Sequence, residues 1–280
     1  MVETPTPSLV RLRVVQKQVL FERRVLFCCT VLVGLGLLAW LVAISTDYWF
    51  YVEATGRHGI YVNETKRYFL GSNSGLWRIC RNALGNSTAT KAVIEVVNNT
   101  GGYVETQEIL NISTATSTGM KLAKFRRCRM HEAFPSEQHI KNNPMLDKYI
   151  LHYTRTEMMF SLISLMVMIM GFLFSIYTFR NPRYTFKRLA GAIHLISCLS
   201  IMVVIEVLMS SIEYERNNLK VVHPPGATHS YGFSYYLACV VFGINLVAGI
   251  SFFWYSKKRK GNKAPNDELA MADEPTIMGR

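Results

Sequence analysis

Four stretches of this chain, residues 25–46, 158–179, 189–212 and 233–255, are apolar almost without a break. Only Glu206 puts a charge into any of them. Each runs 22 to 24 residues, and a helix needs about 20 to cross the hydrocarbon core of a bilayer. Backbone polar groups in lipid must bond within their own segment, so the spans are expected to be helices. Around them lie polar segments: a leader 1–24, a long loop 47–157, a short link 180–188, a second loop 213–232 and a tail 256–280.

Within the long loop the period changes. Residues 91–97 and 103–109 are rich in Val, Ile and Tyr and flank Asn98-Asn99-Thr100-Gly101-Gly102, which predicts a β-hairpin with Asn and Gly at its turn. Residues 50–52 and 76–79 read as further strands. The expected fold is therefore an all-α membrane bundle of four transmembrane helices carrying a small β-sheet ectodomain. An isolated hairpin is marginal in water, so the sheet is expected to lean on the helix ends.

Charge sets the orientation. The leader holds Arg11, Arg13, Lys17, Arg23 and Arg24 against Glu3 and Glu22, and the short link has Arg180, Arg183, Lys187 and Arg188 with no acid. The tail opens with Lys257, Lys258, Arg259 and Lys260. Short basic segments stay in the cytoplasm, which predicts that both termini are cytoplasmic. The long loop carries 14 Lys/Arg against 10 Asp/Glu, and loops of that length translocate largely regardless of charge. The net charge of +12 is thus mostly topology and calls for no nucleic acid.

Glycosylation sequons point the same way. All four, at Asn63, Asn86, Asn98 and Asn111, lie in the long loop, and glycan transfer occurs only in the secretory lumen. The protein is expected in the plasma membrane as a multi-pass glycoprotein. Ala43-Ile44-Ser45 offers a small-residue cleavage site, but the apolar stretch is too long for a signal peptide and a retained first helix is expected.

Of six cysteines, Cys28, Cys29, Cys198 and Cys239 lie within or beside spans. Cys80 and Cys128 lie in the long loop, where an oxidising compartment permits one disulfide. The rival use is a metal site, from the spacing Cys128-x-x-His131 with His139 following. Cys28 and Cys29 are candidates for palmitoylation or for plain packing.

No phosphate loop, zinc-protease motif or nucleophile–His–Asp spacing is present, so neither an enzyme nor a cofactor is expected. Channel and transporter readings also lack support, since neither a ring of pore-lining charges nor broken helices in matching halves are legible. Two polar residues sit inside the spans. Glu206 lies roughly 25 Å along its helix from Leu189, and Asn245 precedes Gly249 by one turn. Both are candidates for contact with a neighbouring helix or a partner.

The run Thr46-Asp47-Tyr48-Trp49, followed by Gly75-Leu76-Trp77-Arg78-Ile79-Cys80 and later by Cys128, resembles the claudin and PMP22 superfamily. Trp49 and Trp77 are amphipathic rings suited to a membrane interface. Within that superfamily these runs, with Ser230-Tyr231-Gly232-Phe233-Ser234-Tyr235 and Ile205-Glu206-Val207, are similar to the gamma subunits of voltage-gated calcium channels and the transmembrane AMPA-receptor regulatory proteins. The resemblance implies a claudin-like fold and an auxiliary subunit acting on gating through lateral contact with the pore-forming subunit. The alternatives are a regulator of an ionotropic glutamate receptor and a cell-junction or adhesion protein. Arg81 stands where many relatives carry a second cysteine, and Thr276-Ile277-Met278-Gly279-Arg280 ends without the terminal Val of a PDZ ligand. No PDZ partner is therefore expected, and both departures favour the skeletal-muscle-type gamma branch.

Overall fold

The computed structural model describes residues 7–56, 59–63, 66–86, 106–113, 122–131, 133–135, 148–220 and 222–256. Asn98, the turn and most of the hairpin expected at 91–109, His139, and the basic start and the end of the tail lie outside them. The described chain contains four long helices, α1 (Pro7–Ser45), α2 (Lys148–Arg180), α3 (Tyr184–Asn218) and α4 (Phe233–Trp254), and seven strands. All four helices are long and apolar enough to cross a membrane. The chain divides into two compact units, one made of the segments up to Trp40, Leu162–Met202 and from Val240, the other of Leu41–Ser161 and Val203–Cys239.

The first unit is a four-helix bundle. Leu26, Cys29 and Val33 of α1 pack with Ala190 of α3 and Ala248 and Phe252 of α4, and Phe172, Phe174 and Phe179 of α2 close the cluster. Large apolar side chains also cover the outside, among them Leu35, Leu38, Met166, Leu173, Leu199 and Val247. Ser164, Ser175, Thr178, His194, Ser197 and Asn245 are buried instead. Greasy outside and hydroxyl-lined inside is the pattern that lipid selects, because small polar side chains let helices approach. Gly191 and Gly249 show how close: a Cβ on either would stand 3.1 Å or 3.3 Å from the other's carbonyl oxygen. At one end of this unit Lys187 is ion-paired with Glu22.

The second unit is built on an antiparallel sheet. Its strands are β1 (Phe50–Ala54), β2 (Ile60–Val62), β3 (Arg67–Ser74), β4 (Arg78–Asn86), β5 (Thr106–Ser113), β6 (Leu122–Met130) and β7 (Ala227–Tyr231). The order is β5-β6-β4-β3-β1-β7, with β2 paired to β3. Phe50, Val52, Val62 and Phe69 form the apolar face, with Ile212 of α3 against it.

The structure refines the sequence reading of the loops. The strand read at 76–79 begins only at Arg78, because Gly75 N–H bonds to Arg78 O at 2.8 Å. Leu76 and Trp77 are therefore the two residues of the β3–β4 turn. The strand expected at 103–109 is described from Thr106 and pairs with β6. The second loop, 213–232, supplies β7 as an edge strand on β1. The helices also outrun their apolar spans, since helical hydrogen bonding does not stop where lipid does. Tyr149 and Tyr153 of α2 meet Tyr214 of α3 with ring centroids 5.6 and 6.0 Å apart and hold the extensions together.

Candidate functional site

The residues around the end of α1 fix the sheet in place. Helix α1 stops at Ser45, leaving carbonyl oxygens without helical partners. Two indoles take them: Trp49 Nε1 donates to Ala43 O at 2.8 Å, and Trp77 Nε1 donates to Ile44 O at 2.7 Å. Trp49 is fully buried. The Gly-Leu-Trp turn thus brings its tip onto the helix terminus, with Leu76 also fully buried. Arg78 Nε donates to Asp47 Oδ2 at 2.7 Å, its terminal nitrogen bonds to the same oxygen, and Asn73 Nδ2 donates to Asp47 O at 3.1 Å.

Gly75 is where these strands touch. A Cβ there would lie 2.6 Å from Asp47 Cα and 2.7 Å from Thr46 O, both backbone atoms, so no side chain fits. Trp49 and Trp77 bond to successive carbonyls at the end of α1, and Gly75 lies against Thr46 and Asp47 just beyond it. The sequence did not reveal the Asp47–Arg78 pair or the Asn73 bond. The acid and base stand 31 residues apart, and only the hairpin brings them together. Trp77→Phe keeps the ring and removes the donor. A loss of about 1 kcal/mol is expected for the uncovered carbonyl, read as a lower thermal unfolding midpoint of the purified protein.

Cys80 and Cys128 are joined by a disulfide directly across β4 and β6, with Cα atoms 4.0 Å apart. His131 N–H donates to Trp77 O at 2.7 Å, and burial holds its imidazole below the ordinary histidine range. Among the described residues no group of three or more His, Cys, Asp or Glu is placed to hold a metal. Asn63 is exposed. Asn86 ends β4, and Asn111 lies in β5.

The two intramembrane candidates part company. Asn245 is fully buried in the first unit, where its Nδ2 donates to Val241 O at 2.9 Å. In the same unit His194 Nε2 is 2.7 Å from Ser175 Oγ. Glu206, in the second unit, is exposed on α3, and its backbone oxygen accepts from Ser210 Oγ at 2.9 Å. Of the pair, Glu206 alone is presented outward. Cys28 is exposed and Cys29 buried.

Residues 34–254 match the family described as PMP-22/EMP/MP20/Claudin tight junction. The chain is also 26% identical over 229 residues to the voltage-dependent calcium channel gamma-5 subunit of Mus musculus, covering 81% of this chain and 67% of that one. The rat and human proteins of that name match to the same extent. Four membrane-length helices, a sheet held on the end of the first and a match across most of the chain lead to one conclusion: the protein belongs to the PMP-22/EMP/MP20/claudin family.

Proposed function

We propose that the chain is an auxiliary gamma-type subunit of a voltage-gated calcium channel and modulates gating by lateral contact with the pore-forming subunit. Support comes from the similarity to gamma-5 subunits over 81% of the chain. The observation that carries the lateral contact is Glu206, a carboxyl side chain exposed on a membrane-length helix. Exposed Leu199 and Met202 lie on the same helix. A carboxyl group facing lipid is expensive away from the headgroups, and a polar partner relieves that cost. In this reading both termini are cytoplasmic, the sheet is outside in the plasma membrane, and Asn63, Asn86, Asn98 and Asn111 are glycan acceptors.

Gating responds only to a subunit that binds one channel state more tightly than another. A tenfold bias needs about 1.4 kcal/mol of differential contact. Co-expression with the pore-forming subunit is expected to shift the voltage dependence of inactivation. Glu206→Gln is expected to reduce that shift while leaving the protein's own unfolding temperature unchanged. Identical currents with and without the protein would overturn the reading.

A further inference from the structure

The second loop returns one histidine onto another. After α3 ends at Asn218, His223 N–H donates to Leu219 O at 3.0 Å, and Pro224-Pro225-Gly226 turns the chain back. Ala227 N–H donates to Pro224 O at 3.1 Å, and Gly226 has φ +92°. Those are the marks of a type II turn with proline and glycine at its two central positions. Strand β7 then pairs with β1, setting His229 opposite Val52. As a result His223 Nδ1 and His229 Nε2 face each other at 3.1 Å, with ring centroids 5.2 Å apart.

Neighbouring side chains orient both rings. Phe50 packs beside both rings, at 6.1 Å from His223 and 5.8 Å from His229. The other nitrogen of His223, Nε2, stands 3.2 Å from Glu215 Oε2. A carboxylate there accepts a hydrogen bond from Nε2–H and leaves the Nδ1 lone pair facing His229. That is the outer-shell arrangement that fixes the tautomer of metal-binding histidines. Two imidazole nitrogens bound to one tetrahedral Zn2+, each about 2.0–2.1 Å from it, stand about 3.3 Å apart, close to the separation seen. His223 is buried and His229 is exposed, so one ligand is held and the other is reachable from solvent.

We propose that His223 and His229 form a Zn2+ site, with Glu215 as the positioning residue behind His223. Two protein ligands leave the remaining positions to water. Imidazole nitrogen selects Zn2+ or Cu2+ over Mg2+ and Ca2+. Both rings bind as neutral imidazoles, and His229 moves its proton from Nε2 to Nδ1 on binding, so no proton is released.

The test is calorimetric titration of the purified full chain with ZnCl2, and with MgCl2 and CaCl2 for comparison. One saturable Zn2+ site is expected, with no response to the other two ions. His229→Gln is expected to abolish it, and Glu215→Gln to weaken it by about 10–100-fold. Unchanged Zn2+ affinity in His229→Gln, or no saturable binding in the unsubstituted protein, would overturn the assignment. A measurement independent of any variant is the Cu2+ electron paramagnetic resonance spectrum. Coupling to two nitrogen ligands is expected, and coupling to one or none refutes the site.

Discussion

Replacing Cys80 and Cys128 together by serine is expected to cost about 4 kcal/mol. The cross-link closes a loop of 48 residues, and the chain-entropy account of a loop that long gives that magnitude. The bond lies directly across β4 and β6, whose register runs over nine residue pairs from Arg78↔Met130 to Asn86↔Leu122. The ladder itself survives in the serine variant, so the native structure forms at low temperature and unfolds earlier on heating. Changing Cys80 alone is expected to cost as much and to leave the Cys128 thiol open to intermolecular pairing. Thermal unfolding with and without reductant is the check. Reductant should lower the midpoint of the unsubstituted protein to that of the double variant and leave the double variant where it was.

Gly232→Ala is expected to be nearly as damaging, although no charge, cavity or covalent bond is involved. A Cβ at this position would stand 2.0 Å from Tyr48 O and 2.6 Å from Tyr48 C. Neither side can retreat cheaply. Gly232 N–H donates to Trp49 O at 2.8 Å, Ser234 N–H donates to Tyr48 O at 3.1 Å, and Thr46 Oγ1 and Ser234 Oγ are 2.7 Å apart. The junction of β7 with α4 is tied to the segment following α1, and a methyl group breaks the tie. The expected loss is about 3 kcal/mol, at the upper end of overpacking costs. Gly243→Ala, on α4 where a Cβ would meet nothing within 4 Å, is the matched control and is expected to be neutral. Surface expression and unfolding temperature of the two variants, measured side by side, test the argument.

The sequence made the helices legible because lipid imposes length and composition at once. The sheet was less legible for reasons that particular strands show. Strand β1 was readable from its Phe-Tyr-Val run, but β3 contains Gly71, Ser72, Asn73 and Ser74, which look like loop. They form a strand because β1 and β4 pair on both sides, and Ser72 and Asn73 are buried there. Strand β7 is a five-residue edge, mostly exposed, and only its pairing with β1 defines it. The Gly-Leu-Trp run was recognised as a unit. Its role as a turn capping a helix terminus needed the two indole bonds to be seen. The His223–His229 contact carried no sequence signal, because it depends on the Pro-Pro-Gly turn and the β7 register together.

The central proposal is lateral association with a calcium channel. The direct measurement is to solubilise membranes gently, capture the full-length protein and identify what co-purifies. The account predicts the pore-forming subunit of a voltage-gated calcium channel, in amounts reduced by Glu206→Gln. Recovery of ionotropic glutamate-receptor subunits instead, or of only further copies of this protein with junctional proteins, would contradict it.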